Sequence, residues 1–453
     1  MANRIIGITH RVKKIIRSGE VIEERPTQVI ILEGSIQTSY QLRTDQEELD
    51  FVLGIHPVKY RKIAAGEDLS LFLRHQVKWK EYPGEGMPAV DFPEYLVRDE
   101  LARVYRYPEQ VPAVYDGFAS GDTVAMVLGG SGDRLACAFS NRGETIGAYV
   151  YRVAPYVLKT EREKRKVTGQ QPTVTRETDH DHVILAGMAR DDLAQFSHCD
   201  ACERNLIRLR EAYRARQEAQ VARISCEHRL RQQFIGRIFC SESGQYPAGK
   251  IEDEYDVLKA SDVVYRALCS EEKRRTAELQ RLMRSLAVWT EVLGPVTGCG
   301  EVIAAGIVSS IGDIRRFATD AKLKAFSGVH VFGADGKKMS PGTVPESVGG
   351  RFVRRRSGVV SDWNPVLRQS LYLLGDQFVR QAKSPWGLKL REYKAKFRAQ
   401  HPEPIVGENG KKRYTDGHIH KMAYWRTLTK FVEWFHFEWT RAEKERLAKR
   451  VAA

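Results

Sequence analysis

Gly298 and Gly300, in the run Val296-Thr297-Gly298-Cys299-Gly300-Glu301-Val302-Ile303-Ala304-Ala305, are the residues whose type and spacing suggest chemistry most directly. Glycines let a backbone turn tightly and approach a phosphate, and the unpaired amides at the following helix start hold an anion. The run predicts a helix-hairpin-helix whose second helix ends at Ile311-Gly312-Asp313, a contact that positions DNA without reading its sequence. A plain turn between two helices fits the same residues. Downstream, Lys337 and Lys338, then Arg351, Arg354, Arg355 and Arg356 before Ser357, make a cationic patch suited to phosphate, with a solvated loop as the alternative. Cys199 and Cys202, with Cys226 and His228, have the start of a zinc-site spacing; buried free thiols in a helical pattern are the other reading. In Asp179-His180-Asp181-His182, the carboxylates suit either a metal or the first turn of a helix, and the imidazoles suit a transition metal or an exposed loop.

The elements that must hold these groups fall into three textures. Residues 1–195 mix short β-branched runs with polar turns, which predicts an α/β domain. Strands are expected at Ile5-Ile6-Gly7-Ile8, Gln28 to Leu32, Thr123 to Val127 and Tyr149 to Val153. A basic run from Lys159 to Lys166 leads to a polar loop near Gly169 to Pro172. Residues 196–290 are helical, with apolar residues three and four apart and a break around Ser241 to Gly249. Their narrow apolar stripe suits an antiparallel hairpin or coiled-coil-like dimer arm, or a helix pair folded onto its own domain. Residues 291–453 are mainly α-helical, interrupted by a Gly-, Ser- and Arg-rich loop from Gly333 to Asp362. In the terminal helix, Trp425, Phe431, Trp434, Phe435 and Trp439 read as core rather than as a stacking platform.

With 453 residues the chain has room for two or three domains, so a single small module is excluded. Its 72 Lys and Arg against 58 Asp and Glu leave a net charge of +14, which suits a polyanionic partner such as nucleic acid. Met1 to Gly19 reads as no secretory signal, and no apolar run reaches membrane-spanning length; a soluble, cytoplasmic protein without a membrane partner is expected. Seven cysteines in so long a chain fit reduced thiols.

Gly294 to Phe317, followed by Asp320-Ala321-Lys322-Leu323-Lys324-Ala325-Phe326-Ser327-Gly328, resembles the C-terminal domain of the IS110/IS116/IS902-type transposases. Trp363 to Tyr372 resembles that family's helix after its catalytic loop, and Trp386 to Lys396 its closing helices. The resemblance implies a RuvC-like, RNase H-type domain over 1–195, in which three Asp and one Glu hold two Mg²⁺ ions. Here Thr9 stands where the first Asp is expected and Val127 where the Glu is expected. Asp179 matches the third position and His182 takes the fourth, with Asp181 as a substitute one residue earlier; a shifted register brings in Glu33 or Asp116. The family's C-terminal serine nucleophile, which forms a phosphoserine with DNA, falls on Asp335-Gly336 without a gap; Ser340 is the next candidate, then Ser357. Implied partners are DNA, a structured guide RNA, and further copies in a homodimer or homotetramer. The competing readings are a nuclease-dead descendant that binds DNA or RNA, and a junction-resolving nuclease.

Overall fold

The four apolar runs become strands of one sheet. The structure, a computed structural model, describes residues 4–17, 20–64, 67–81, 97–99, 104–167, 180–244, 249–332, 351–352, 361–406 and 412–452. It divides into two compact units, Met1–Cys199 and Asp200–Ala453.

In the first unit, β1 (Ile5–Thr9) is followed by a hairpin of β2 (Val12–Arg17) and β3 (Glu20–Arg25), then by β4 (Thr27–Glu33), β5 (Ile36–Leu42) and α1 (Asp45–Leu53). A second small sheet comes next: β6 (His56–Lys62), β7 (Lys78–Glu81), β8 (Val97–Asp99) and the long β9 (Val104–Asp116), on which the other three pair. The main sheet resumes with β10 (Thr123–Val127), α2 (Asp133–Ile146), β11 (Tyr149–Val153), α3 (Pro155–Val167), α4 (Asp181–Asp191) and β12 (Ser197–His198). The basic run Lys159 to Lys166 thus lies inside α3, and residues 169–172 lie outside the described residues.

The strand order is β12-β11-β10-β1-β4-β5. On one side of β1, the strands β4 and β5 form an antiparallel meander; on the other, β10 and β11 run parallel to it. Alternation along the strands separates two cores. Ile6, Ile8, Val124 and Met126 pack with Phe51 of α1 and Phe139 of α2 on one face. Ala125 and Val153 pack with Leu158 of α3 and Ile184, Leu185 and Met188 of α4 on the other. Gly7 permits the second layer to close: a Cβ there would lie 2.0 Å from the His182 carbonyl oxygen and 2.9 Å from Ala186 Cβ.

The second unit is mainly helical. A 39-residue helix, α5 (Ala201–Phe239), turns through α6 (Ile251–Ser261) into α7 (Val263–Arg284), breaking where the sequence breaks. Arg216 and Arg223 of α5 pair with Glu272 of α7, and Glu227, further along α5, pairs with Lys259 of α6, so α5 runs antiparallel to the arm that α6 and α7 make. At the hairpin's base, Leu209, Leu279 and Met283 enter the unit's core. A π-helical turn (Val288–Leu293) leads to α8 (Glu301–Ile311), α9 (Asp320–Phe326), the strand pair β13 (Val331–Phe332) and β14 (Arg351–Phe352), α10 (Pro365–Arg380) and α11 (Pro385–Gln400). A short pair, β15 (Ile405–Val406) and β16 (Lys412–Arg413), precedes α12 (Asp416–Ala452).

Helix α8 is central because its residues are small or apolar: Ala304, Ala305, Ile307, Val308 and Ile311 are buried. A Cβ on Gly306 would lie 2.3 Å from Ser370 Oγ of α10, so this glycine sets how closely the two helices cross. Each fully buried Ile or Val contributes about 1.5–3 kcal/mol of transfer free energy. Phe431, Phe435 and Trp439 of α12 are buried in this core, with Trp425 and Trp434 partly so. No helix among the described residues is long and apolar enough to cross a membrane.

Candidate functional site

In a sheet with parallel neighbours, a crevice opens where the connections from adjacent strands leave in opposite directions, beyond their C-terminal ends. Here the chain leaves β1 toward β4 and leaves β10 toward β11, so the crevice lies beyond Thr9 and Val127. Both residues sit on the face covered by α4, whose first turn crosses Gly7. Thr9 Oγ1 and His182 Nδ1 are buried there with no hydrogen-bond partner among the described residues. Burial, with the nearby His180 adding to it, pulls the His182 imidazole down to about 4, so it is neutral at ordinary pH.

Asp181 is the first residue of α4, and its carboxylate accepts two hydrogen bonds from Arg162 of α3, Nε and Nη2 each at 2.7 Å. Its charge is matched by a guanidinium in a bidentate pair. Asp179 lies outside the described residues. Glu33 and Asp116 do not reach the crevice. Antiparallel pairing sets Leu32 against Ile5, and Asp116 bonds Arg4 at 2.9 Å and the Tyr40 hydroxyl at 2.7 Å. Both carboxylates therefore sit at the start of β1, about 13 Å of strand from Thr9, and the shifted-register expectation is corrected. Among the described residues no group of three or more His, Cys, Asp or Glu could hold a metal ion.

The crevice also gathers residues that the sequence reading did not single out. His10, immediately after β1, has Nδ1 2.9 Å from Ser131 Oγ, in the Gly129-Gly130-Ser131-Gly132 turn joining β10 to α2. Its other nitrogen, Nε2, is 3.4 Å from Glu48 Oε1 of α1. Glu48 is buried, with His10 14% exposed and Ser131 on the surface. Thr27 Oγ1 donates to Glu48 at 2.5 Å and in turn accepts the Arg11 amide at 2.8 Å, while Arg11 Nε lies 3.5 Å from the same carboxylate. Burial pushes the Glu48 carboxyl up, but the bonds from His10 and Thr27 and the Arg11 charge outweigh it and hold the group below its ordinary value. The turn's left-handed residues are both glycines, Gly129 (φ 86°) and Gly130 (φ 89°). Gly132 leaves room for His10, whose Cβ would stand 3.1 Å from a Cβ at 132. The signal that could have found this site was a Gly-Gly-Ser-Gly run between a strand and a helix.

In the second unit, Gly298 takes φ +88°, and a Cβ on it would lie 2.8 Å from Gln377 Cβ of α10. That glycine serves the turn and its packing. Gly300 faces open space and precedes α8, whose N-terminus has no side-chain cap. The Glu301 carboxylate stands next to those amides; its own backbone amide, then the Arg284 guanidinium 2.6 Å away, keep it below the usual carboxylate range. A phosphate here would meet amides with an anion beside them. Lys337, Lys338, Ser340, Arg354, Arg355, Arg356 and Ser357 lie outside the described residues, and of Arg351 only the backbone, in β14, is described.

The zinc reading is corrected by helix geometry. Cys202 and Cys226 lie on the single helix α5, about 36 Å apart along its axis, so the two halves of the expected ligand set cannot share an ion. Cys199 is buried in the first unit's core.

Residues 290–334, from within the π-helical turn through α8 and α9 to just past β13, match the model of the Transposase IS116/IS110/IS902 family. No curated protein matches the chain.

Proposed function

We propose, on the premise that this chain is a relative of the IS116/IS110/IS902 transposases, that it is an IS110-type transposase which binds DNA and cuts and rejoins its strands. The family match over residues 290–334 carries the reading. A mixed sheet with β1 between an antiparallel meander and a parallel pair, covered by helices on both faces, supports reading the first unit as RNase H-like, of the RuvC kind. Ser340, flanked upstream by Lys337 and Lys338, is the proposed nucleophile. Its hydroxyl attacks a phosphodiester: the Oγ–P bond forms, the P–O bond to one sugar breaks, that sugar leaves as a hydroxyl carrying the proton the serine gives up, and the phosphoserine keeps the bond energy for rejoining. Gly298, Gly300, Lys337, Lys338, Arg351, Arg354, Arg355 and Arg356 are the proposed phosphate contacts. A structured guide RNA and a homodimer or homotetramer, which would hold two DNA partners together, complete the proposal.

Mg²⁺ held by Asp179 and Asp181 is the ion the resemblance implies. The described donors do not fit a pair of such ions, which take oxygen anions. Asp181 is engaged by Arg162, and Thr9, Val127 and His182 contribute no carboxylate. Those replacements are the ground for a second reading, a nuclease-dead descendant that binds DNA or RNA without metal-assisted cutting.

The test expresses the gene with its native flanking DNA and sequences newly joined element ends and excised circles, in wild type, Asp179→Ala and Ser340→Ala. Joined ends in wild type that vanish in both variants are expected. Ends that persist in one variant remove that residue from the mechanism. Absence of ends in wild type, with nucleic-acid binding retained, selects the second reading.

A further inference from the structure

The mouth of the β1–β10 crevice holds a serine, a histidine and a glutamate in series, on three segments far apart in the chain. We propose that Ser131, His10 and Glu48 form a nucleophile, base and positioning acid that transfer a phosphodiester to Ser131 Oγ. The proposal rests on the reading that DNA is the substrate, but it places a nucleophile in the first unit, separate from Ser340.

Exposure is graded as such a relay requires: the hydroxyl is on the surface, the imidazole is mostly covered, and the carboxylate is buried. In this scheme Glu48, 3.4 Å from Nε2, holds the His10 proton there, and the Nδ1 lone pair accepts the Ser131 hydroxyl at 2.9 Å in preference to the Arg11 carbonyl oxygen, which lies 3.5 Å from the same hydroxyl. Thr27 and Arg11 hold Glu48, so the carboxylate is fixed rather than free to turn outward. The electrophile's place is set by the turn. Ser131 stands just before α2, a 14-residue helix whose cap, Gly132, has no side chain to bond the helix start. The positive end of the helix dipole there favours a phosphate's non-bridging oxygens. The acidic residue in that first turn, Asp133, is buried and paired with Arg152, so it does not turn an anion away.

In the forward step the Ser131 Oγ–P bond forms, a P–O bond to a sugar breaks, and the serine proton passes to His10 Nδ1. His10 then gives that proton to the departing sugar oxygen. Rejoining is the reverse: a sugar hydroxyl attacks the phosphoserine, its proton goes to His10, and Ser131 recovers it. No oxidant, reductant or further co-reactant enters. Ser131 and His10 are catalytic in this scheme; Glu48 is a positioning residue.

The test uses the full chain and thymidine 5′-(p-nitrophenyl phosphate), a phosphodiester that reports attack at phosphorus without any need for transposition. A burst of one p-nitrophenolate per chain is expected, with the thymidylyl group found on Ser131 by mass spectrometry. Ser131→Ala should remove the burst, and His10→Asn should slow it about a hundredfold or more. Glu48→Gln should lower the burst rate constant and leave the substrate concentration at half-maximal burst rate unchanged, with partial recovery in Glu48→Asp. Circular dichroism and thermal midpoints of each variant separate loss of chemistry from loss of fold. A burst that survives in Ser131→Ala but is lost in Ser340→Ala overturns the inference and supports the nucleophile of the proposed function. No burst in wild type also overturns it, while the joined-end assay still reports on the transposase reading independently.

Discussion

Gly7 shows how much one missing side chain can fix. It lies in the middle of β1, under the first turn of α4, with a backbone oxygen 2.0 Å from where a Cβ would stand. A backbone carbonyl cannot rotate aside as a side chain can, so Gly7→Ala must push α4 off the sheet. We expect a loss of about 3 kcal/mol, the upper end of overpacking costs, read as a fall in the denaturant midpoint; an unchanged midpoint would mean α4 does not rest on β1. The same residue explains what was legible at the site. The pattern Ile6-Gly7-Ile8-Thr9 marks a strand, and the resemblance put Thr9, Val127 and His182 at its functional end, where Thr9 and Val127 end neighbouring strands on the face α4 covers. Ser131, His10 and Glu48 were not legible, because no local spacing links them. Only the parallel pairing of β1 with β10, and the packing of α1 on the face opposite α4, bring them together. Asp181 was read as either a metal ligand or a first-turn helix carboxylate; it opens α4, and the sequence could not show that Arg162, one helix away, bonds both its oxygens.

At the scale of elements, legibility follows how apolar each element is. Strands β1, β4, β10 and β11 are buried and read directly as β-branched runs. The sheet of β6 to β9 went unread because strands such as His56 to Lys62 and Lys78 to Glu81 are rich in charge, at most half-buried, and carry no clean alternation. The α5–α7 hairpin was legible as helices, but whether it serves itself or a partner was not: the stripe is narrow, and ion pairs replace apolar contacts along it. Glu272 is the pivotal one, receiving Arg223 Nε at 2.5 Å and Arg216 Nη2 at 3.3 Å, with the three side chains 15–22% exposed. Glu272→Ala would leave two guanidiniums facing each other. A loss of about 1 kcal/mol is expected, the top of the range for pairs so near the surface, and it should shrink in high salt. Equal urea midpoints for wild type and variant at low salt would show that the pairs decorate the hairpin without holding it.

At the scale of the molecule, the net charge of +14 is the largest single fact about partners, but many of the 72 Lys and Arg behind it are engaged by the chain's own carboxylates, in pairs that leave the net charge unchanged. Arg4, Arg162, Arg216, Arg223, Arg315 and Arg446 are all bound to carboxylates of their own unit. The count of cations therefore overstates the number of phosphates that the protein can meet. What counts for a polyanion is a dense local group of cations, and the sequence places one at Arg351, Arg354, Arg355 and Arg356 with Lys337 and Lys338 upstream. Each phosphate neutralised releases counterions, so the logarithm of the DNA association constant should fall linearly with the logarithm of salt, by about 0.9 per contact. If the arginine run meets the backbone, replacing Arg354, Arg355 and Arg356 together with alanine should reduce that slope by about three. The loss should be nearly uniform across DNA sequences, since phosphate contacts carry no sequence information. Measuring the affinity of wild type and triple variant for one duplex at several salt concentrations reads the slope directly. An unchanged slope would move the DNA interface away from this loop. A slope reduced for one DNA sequence and kept for another would mean that the arginines read bases, which a run of guanidiniums can also do in a major groove.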